Sequence, residues 1–289
     1  MTDATWTPLD RVAEDADDVA RFSLAEDGPE DVTSEFTVPE GLQGRGRIEF
    51  RSAGVLAGLA YADAVARQAG CGPVAWTATE GARIPGPAVV GTIGGPLRAI
   101  LLGERSLLNL LQRASGIATA TRAYADAVAH TPCRVLHTRK TAPGLRLFDA
   151  AAVVAGGGYL HRLDLARQVM VKDNHWRALR RSGGSLAEAL RRAASWDVTA
   201  LYVEVESEAQ LREACAAGAT RLLVDNQVPA TVRAWAALAR ELRPGIEVEA
   251  TGGITLENVA AYAEAGTDYV SIGALTHSVK AADVALEVE

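Results

Sequence analysis

Six short apolar runs in this chain end in residues able to do chemistry. Arg139 and Lys140 follow the first, Lys172 and Asp173 the second, and Glu204 lies in the third. Asp225 ends the fourth, Glu249 and Thr251 close the fifth, and Gly273 ends the sixth. Arg139, Lys140, His161, Arg162 and Lys172 make a basic group in an acidic protein, which suits an anionic ligand carrying more than one negative charge. Glu204 and Asp225 supply the opposite sign: such carboxylates hold a hard cation like Mg²⁺, directly or indirectly, or stabilise a developing positive centre. Gly252-Gly253 and Gly273-Ala274 are turns whose backbone N–H groups could cradle a phosphate, although plain turns use such residues too. His161, after Gly156-Gly157-Gly158, fits a structural role as well as a ligand role, and Arg162 beside it favours the ligand. Singly, each residue has an ordinary reading: surface lysines for Lys140 and Lys172, an outward strand position for Glu204 between Val203 and Val205. Recurrence at six strand ends is what argues for a site.

The elements that must position these residues are βα units. The runs 134–137, 169–172, 201–205, 221–224, 246–250 and 269–272 are each followed by a helical pattern. Their spacing leaves the dozen or more residues that a parallel crossover requires. An incomplete (β/α) barrel closes them naturally and gathers all the carboxyl ends at one mouth. Before residue 132 the pattern is α+β. A helix is expected over 10–23, turn or cap chemistry at Asp31-Val32-Thr33-Ser34, and a strand over 46–51 with Ile48 and Phe50 on one face. An Ala-rich helix over 56–69, strands over 74–79 and 89–93, and a helix over 101–113 follow.

Composition narrows the function. The 289 residues, 48% of them hydrophobic, can bury a sizeable core. A net charge of −7 argues against general nucleic-acid binding. The apolar stretches fall short of a bilayer span, so no membrane association is expected, and the acidic N-terminus is unlike a secretory or transit signal, so the expected location is the cytoplasm. Cys71, Cys133 and Cys215 lack ligand spacing and read as buried free thiols.

At these residues the sequence resembles the quinolinate phosphoribosyltransferases, the carboxylating nicotinate-nucleotide pyrophosphorylases. The segments that carry the resemblance run in family order. They are Glu104-Arg105-Ser106-Leu107-Leu108-Asn109, Ser115-Gly116-Ile117-Ala118-Thr119, Thr138-Arg139-Lys140-Thr141 and Gly156-Gly157-Gly158 with His161-Arg162. Val171-Lys172-Asp173-Asn174-His175, Val203-Glu204-Val205-Glu206, Leu223-Val224-Asp225-Asn226, Gly252-Gly253-Ile254 and Gly273-Ala274-Leu275-Thr276-His277-Ser278 complete the set.

The resemblance implies an N-terminal α+β sandwich domain over 1–115, joined by the tail 275–289, beside a barrel-like catalytic domain over 116–274. It implies transfer of phosphoribose from phosphoribosyl pyrophosphate to quinolinate with loss of carbon dioxide, aided by Mg²⁺, in a homodimer or higher oligomer with shared sites. By the same resemblance Arg105 serves the partner's site, and Arg139, His161, Arg162 and Lys172 bind the quinolinate carboxylates. Lys140, Glu204 and Asp225 face the ribose, pyrophosphate and Mg²⁺, with Lys140, Lys172, Glu204 and Asp225 as the catalytic set. Thr138, Thr251, Gly252, Gly253, Gly273 and Ala274 complete the substrate contacts, Thr251 and Gly273 helping to cradle the 5′-phosphate.

The chain departs from the family pattern at several places. His137 replaces an Asp, Ala150-Ala151 a Lys-Tyr pair, Asp164 a small residue, Arg167 an acidic one, and Thr251 a serine. The lost lysine and the added Asp164 reduce positive charge near the carboxylate pocket. The alternatives are therefore a paralogue with another pyridine or azole carboxylate acceptor, and a non-catalytic anion-binding relative. The intact Lys172–His175 segment speaks against the second.

Overall fold

The computed structural model describes residues 8–196, 198 and 200–289. Two compact units divide the chain: one holds the residues up to Arg122 with Lys140–Gly157 and Ala274–Glu289, the other Ala123–Arg139 and Gly158–Gly273.

The first unit starts with α1 (Val12–Asp27) and α2 (Val32–Thr37), where the Asp31 carboxylate caps α2 by accepting from the backbone of Thr33 and Ser34. Strand β1 (Gln43–Phe50) buries Ile48 and Phe50 completely, as period-two alternation requires. After β2 (Gly54–Val55), the Leu56 amide donates to the Ala82 carbonyl at 3.0 Å. Helix α3 (Leu59–Ala69) therefore begins three residues later than its Ala-rich composition suggests, at left-handed Gly58. The Glu80 carboxylate caps it, accepting from Gly58 and Leu59 at 2.8 and 3.0 Å. Strands β3 (Ala75–Trp76), β4 (Arg83–Ile84) and β5 (Ala88–Pro96) follow, β3 being much shorter than the expected 74–79. The C-terminal strand Val284–Val288 pairs antiparallel with β1, giving a four-stranded sheet with β5 and β3.

Helix α4 (Leu97–Val128) is the main departure from the local reading, which ended it at 113. Ser115 and Gly116 are weak helix formers, but tertiary contacts absorb them. The Ser115 hydroxyl accepts from the Ala57 amide, and a Cβ on Gly116 would fall 2.3 Å from the Lys280 carbonyl. The helix consequently runs through residue 115, where a domain boundary was expected. Helix α5 (Arg146–Ala155) completes this unit together with the short helix Ala274–His277.

The second unit is built on β6 (Arg134–Leu136), β7 (Gln168–Val171), β8 (Ala200–Val205), β9 (Arg221–Asp225), β10 (Glu247–Thr251) and β11 (Tyr269–Ser271). All pair in parallel, in the order β6-β11-β10-β9-β8-β7. Tyr159 adds a parallel bridge to Leu136 at the β6 edge. Crossover helices are α6 (Asp173–Ser182), α7 (Leu186–Ala194), α8 (Glu208–Ala217), α9 (Pro229–Leu242) and α10 (Val259–Glu264). This is an incomplete (β/α) barrel, with Met170, Tyr202 and Leu223 packed together inside it. Cys133 and Cys215 are buried, but Cys71 is only partly so, which corrects the expectation for that thiol. No helix among the described residues is long and apolar enough to cross a membrane.

Candidate active site

Parallel strands bring the carboxyl ends of β6 to β11 to one end of the second unit. Lys172 is the residue between β7 and α6, and its ammonium pairs with the carboxylate of Glu204, the penultimate residue of β8. Glu204 is buried, and its other oxygen accepts the Asp173 amide at 3.4 Å. Its carbonyl accepts the Trp176 indole N–H at 2.8 Å, which pins the first turn of α6 to β8. Asp225 ends β9, and its carboxyl is pushed above the ordinary aspartate range by burial and then by the like charge of Glu204.

The turn beyond β9 is set by close approach. Asn226 adopts a positive φ of 52°, donates its backbone N–H to Thr251 and its amide to Asp225. Gly252 follows Thr251 at φ 83°, and a Cβ there would lie 2.3 Å from the Asn226 side chain. Only glycine fits. Gly253, at φ 62°, has open space above its Cα.

Arg139 and Arg162 lie on the segments after β6 and before β7. Among the described residues, the Arg139 Nε is buried without a hydrogen-bond partner, as is the side-chain oxygen of Gln168. Arg162 donates to the Gln168 carbonyl at 3.4 Å, and burial followed by the nearby charge of Arg139 pulls its basicity down. Two neighbouring guanidiniums, one with an unused buried donor, are the kind of arrangement an anion would satisfy. Asp164 opposes them: its carboxylate accepts the Ala166 amide at 2.9 Å and its charge acts on Arg162.

The His161 side chain is 7% exposed and has its own partners inside the barrel. Its Nε2 lies 3.3 Å from the Glu249 carboxylate, and its Nδ1 accepts the Arg162 backbone N–H at 2.6 Å. Glu249 is fully buried and also meets Arg221 at 3.1 Å. Burial acts to raise the Glu249 carboxyl, but His161 and Arg221 hold it below its usual range. Arg221 reaches Glu247 as well and stacks over the Tyr269 and Tyr202 rings, 3.8 and 4.6 Å from their centroids. Sequence reasoning passed over Arg221 and Gln168. Counting back by twos from Asp225 would have put Arg221 on the inner face, the signal that was there to be used.

Thr138 and Gly273 lie on the second unit's strand-end segments, Thr138 offering its carbonyl to His137 Nδ1 at 3.0 Å. Arg105, Lys140 and Ala274 belong to the first unit. Arg105 is exposed on α4, 4.0 Å from Glu104. The Lys140 carbonyl accepts the Thr276 hydroxyl at 2.9 Å. That loop is clamped by Asp149, fully buried on α5, whose carboxylate takes a two-pronged 2.8 Å contact from Arg113 and the Ala142 amide at 3.0 Å. Arg113 also donates to the Thr276 carbonyl.

No group of three or more metal-ligating side chains occurs among the described residues. Glu204 and Asp225 nevertheless fit a hard cation that brings other oxygens from phosphate and water, since the two carboxylates are neighbours and the like charge of Glu204 adds to burial in raising the Asp225 carboxyl.

Comparison with known proteins bears on this arrangement. The chain matches the model of the quinolinate phosphoribosyl transferase N-terminal domain over residues 31–115 and that of the C-terminal domain over 117–287. It is 40% identical over 265 residues to a carboxylating nicotinate-nucleotide pyrophosphorylase of Mycobacterium leprae, covering 89% of this chain and 91% of that one. A decarboxylating quinolinate phosphoribosyltransferase of Nicotiana tabacum is 35% identical over 291 residues, 94% of this chain and 81% of the relative. The structure of the nicotinate-nucleotide pyrophosphorylase from Francisella tularensis superposes with a TM-score of 0.88 at 31% identity, over 96% of this chain and 97% of that one.

Proposed function

The chain belongs to the quinolinate phosphoribosyl transferase family, and from that premise we propose that it joins quinolinate to the ribose of phosphoribosyl pyrophosphate, giving nicotinate mononucleotide, pyrophosphate and carbon dioxide. The observation that carries this reading is the division of charge at one barrel mouth: Arg139 and Arg162 on two segments, Glu204 and Asp225 on two strand ends.

The chemistry asks for that division. As the bond from ribose C1 to the pyrophosphate oxygen breaks, positive charge grows at C1, where carboxylates stabilise it. The pyridine nitrogen lone pair forms the new bond to C1. The positive nitrogen of the resulting pyridinium stabilises the electron pair left on C2 when the 2-carboxylate departs as carbon dioxide, and that pair then takes up a proton. Arg139, Arg162 and Lys172 bind and orient the two carboxylates of the acceptor, with two-pronged guanidinium contacts setting the ring plane. Thr251, Gly252, Gly253, Gly273 and Ala274 offer hydroxyl and backbone donors to the 5′-phosphate. Mg²⁺, held by Glu204 and Asp225 directly or through water, would neutralise charge on the leaving pyrophosphate when bound. The roles of Thr138, Lys140 and Arg105, the domain division at 115, a homodimer or higher oligomer with shared sites, and a cytoplasmic location enter this proposal from the resemblance alone.

The test is release of labelled carbon dioxide from carboxyl-labelled quinolinate with phosphoribosyl pyrophosphate and Mg²⁺; no release by purified protein would refute the reading. A second reading, a different pyridine or azole carboxylate as acceptor, is favoured by one observation, the Asp164 carboxylate acting on Arg162. A panel of such acceptors, each assayed with phosphoribosyl pyrophosphate, separates the two by the ranking of kcat/KM.

A further inference from the structure

We infer that Glu249 is a positioning residue for the acceptor acid: from inside the barrel its carboxylate, anchored by Arg221, holds the His161 ring in the pocket beside Arg162. The inference rests on the reading above and deepens it, because it assigns what keeps that part of the pocket in place.

Strand alternation puts Glu249 on the inner face of β10, one layer below Thr251 at the strand end. A carboxylate buried there without partners would be costly, so its partners define its role. One oxygen of Glu249 meets two groups, Arg221 at 3.1 Å and the His161 Nε2 at 3.3 Å. Arg221 is itself held from the other side. It contacts Glu247 through Nε and Nη2 at 2.9 and 2.8 Å, and its guanidinium lies over the Tyr202 and Tyr269 rings. The Tyr269 hydroxyl in turn donates to Glu247 at 3.0 Å. One guanidinium thus faces two carboxylates, and the imidazole is the second basic group at the oxygen it shares with Arg221. The cluster's link toward the acceptor pocket is His161, whose Nδ1 takes the Arg162 backbone N–H at 2.6 Å. Released from Glu249, the ring would be free to change rotamer, and the contact that ties it to Arg162 would go with it.

Two measurements test this, and the first needs no substrate. Thermal unfolding of the parent, Glu249→Met, His161→Ala and the double variant forms a cycle. The double variant should lose no more than about the larger of the two single losses, because both substitutions remove the same contact. Losses that simply add would overturn the inference whatever the protein catalyses. The second measurement is kinetic. Glu249→Met keeps the length of the side chain without its oxygens, and should raise the KM for quinolinate about tenfold while kcat and the KM for phosphoribosyl pyrophosphate stay within about threefold. Glu249→Gln leaves an oxygen in place and should recover most of that loss. In a His161→Ala background, Glu249→Met should add less than about twofold. Equal losses for Glu249→Met and Glu249→Gln, or a further rise of about tenfold in the absence of His161, would overturn the inference by showing that Glu249 does not act through the ring. Should Glu249→Met not fold, Glu249→Asp takes its place, keeping the charge beside Arg221 while withdrawing the oxygens by one methylene. A parent protein that releases no labelled carbon dioxide refutes the reading of function instead, and the thermal cycle still judges the contact.

Discussion

Asp149 and Glu204 are both buried carboxylates facing one basic side chain, yet they are satisfied in opposite ways. Asp149 is saturated: Arg113 grips both oxygens at 2.8 Å, the Ala142 amide adds a third contact, and Arg113 itself is occupied further by the Thr276 carbonyl. Glu204 meets Lys172 through one oxygen, receives one long amide contact on the other, and has the carboxylate of Asp225 as a neighbour. Lys172 is also the more open of the two bases, 42% exposed against 27% for Arg113. A closed pair has nothing left to offer a ligand and serves to hold loops in place. An open pair with a second like charge beside it is poised to exchange partners when an anion and a cation arrive.

Breaking the closed pair should have the largest effect. Asp149→Ala leaves Arg113 without its counter-charge and should cost about 3–5 kcal/mol of stability. Urea unfolding checks it, and a loss below about 1 kcal/mol would erase the contrast drawn here. Lys172→Ala should do the reverse, lowering kcat/KM by a factor on the order of 10²–10³ with little change in the thermal midpoint. A fall in the midpoint as large as that of Asp149→Ala would make Lys172 a scaffold residue too.

The anion receptor can be probed more finely. Arg139→Lys keeps the charge but loses the fork and the buried Nε donor, so calorimetric affinity for quinolinate should weaken about tenfold. Unchanged affinity would remove Arg139 from the pocket.

The smallest effect concerns Asp225. Its folded pKa is raised above the value of about 3.9 expected in the unfolded chain, so the ionised form costs stability at neutral pH. That cost is relieved as pH falls through the folded pKa. Asp225→Asn should therefore melt higher than the parent at pH 7 and lose that advantage as the pH falls toward 4, while activity drops. Parallel melting curves across that range would show that the carboxylate carries no such burden.

Much of this was legible in the chain. Alternation placed Ile48 and Phe50 in a core, the spacing of apolar runs demanded parallel strands, and the charges ending those runs had to share a mouth because parallel strands all end on one side. Local pattern also marked Asp31–Ser34 as turn or cap chemistry, where Asp31 caps α2. It could not carry α4 through Ser115 and Gly116, because that continuity depends on Ala57 and on the backbone at Lys280, far away in sequence. Nor could it say which lysine or arginine is saturated and which is open. Lys172, Arg113 and Arg221 look alike as letters, and a charge acquires its role from the partners, burial and like-charged neighbours that only the folded arrangement assigns.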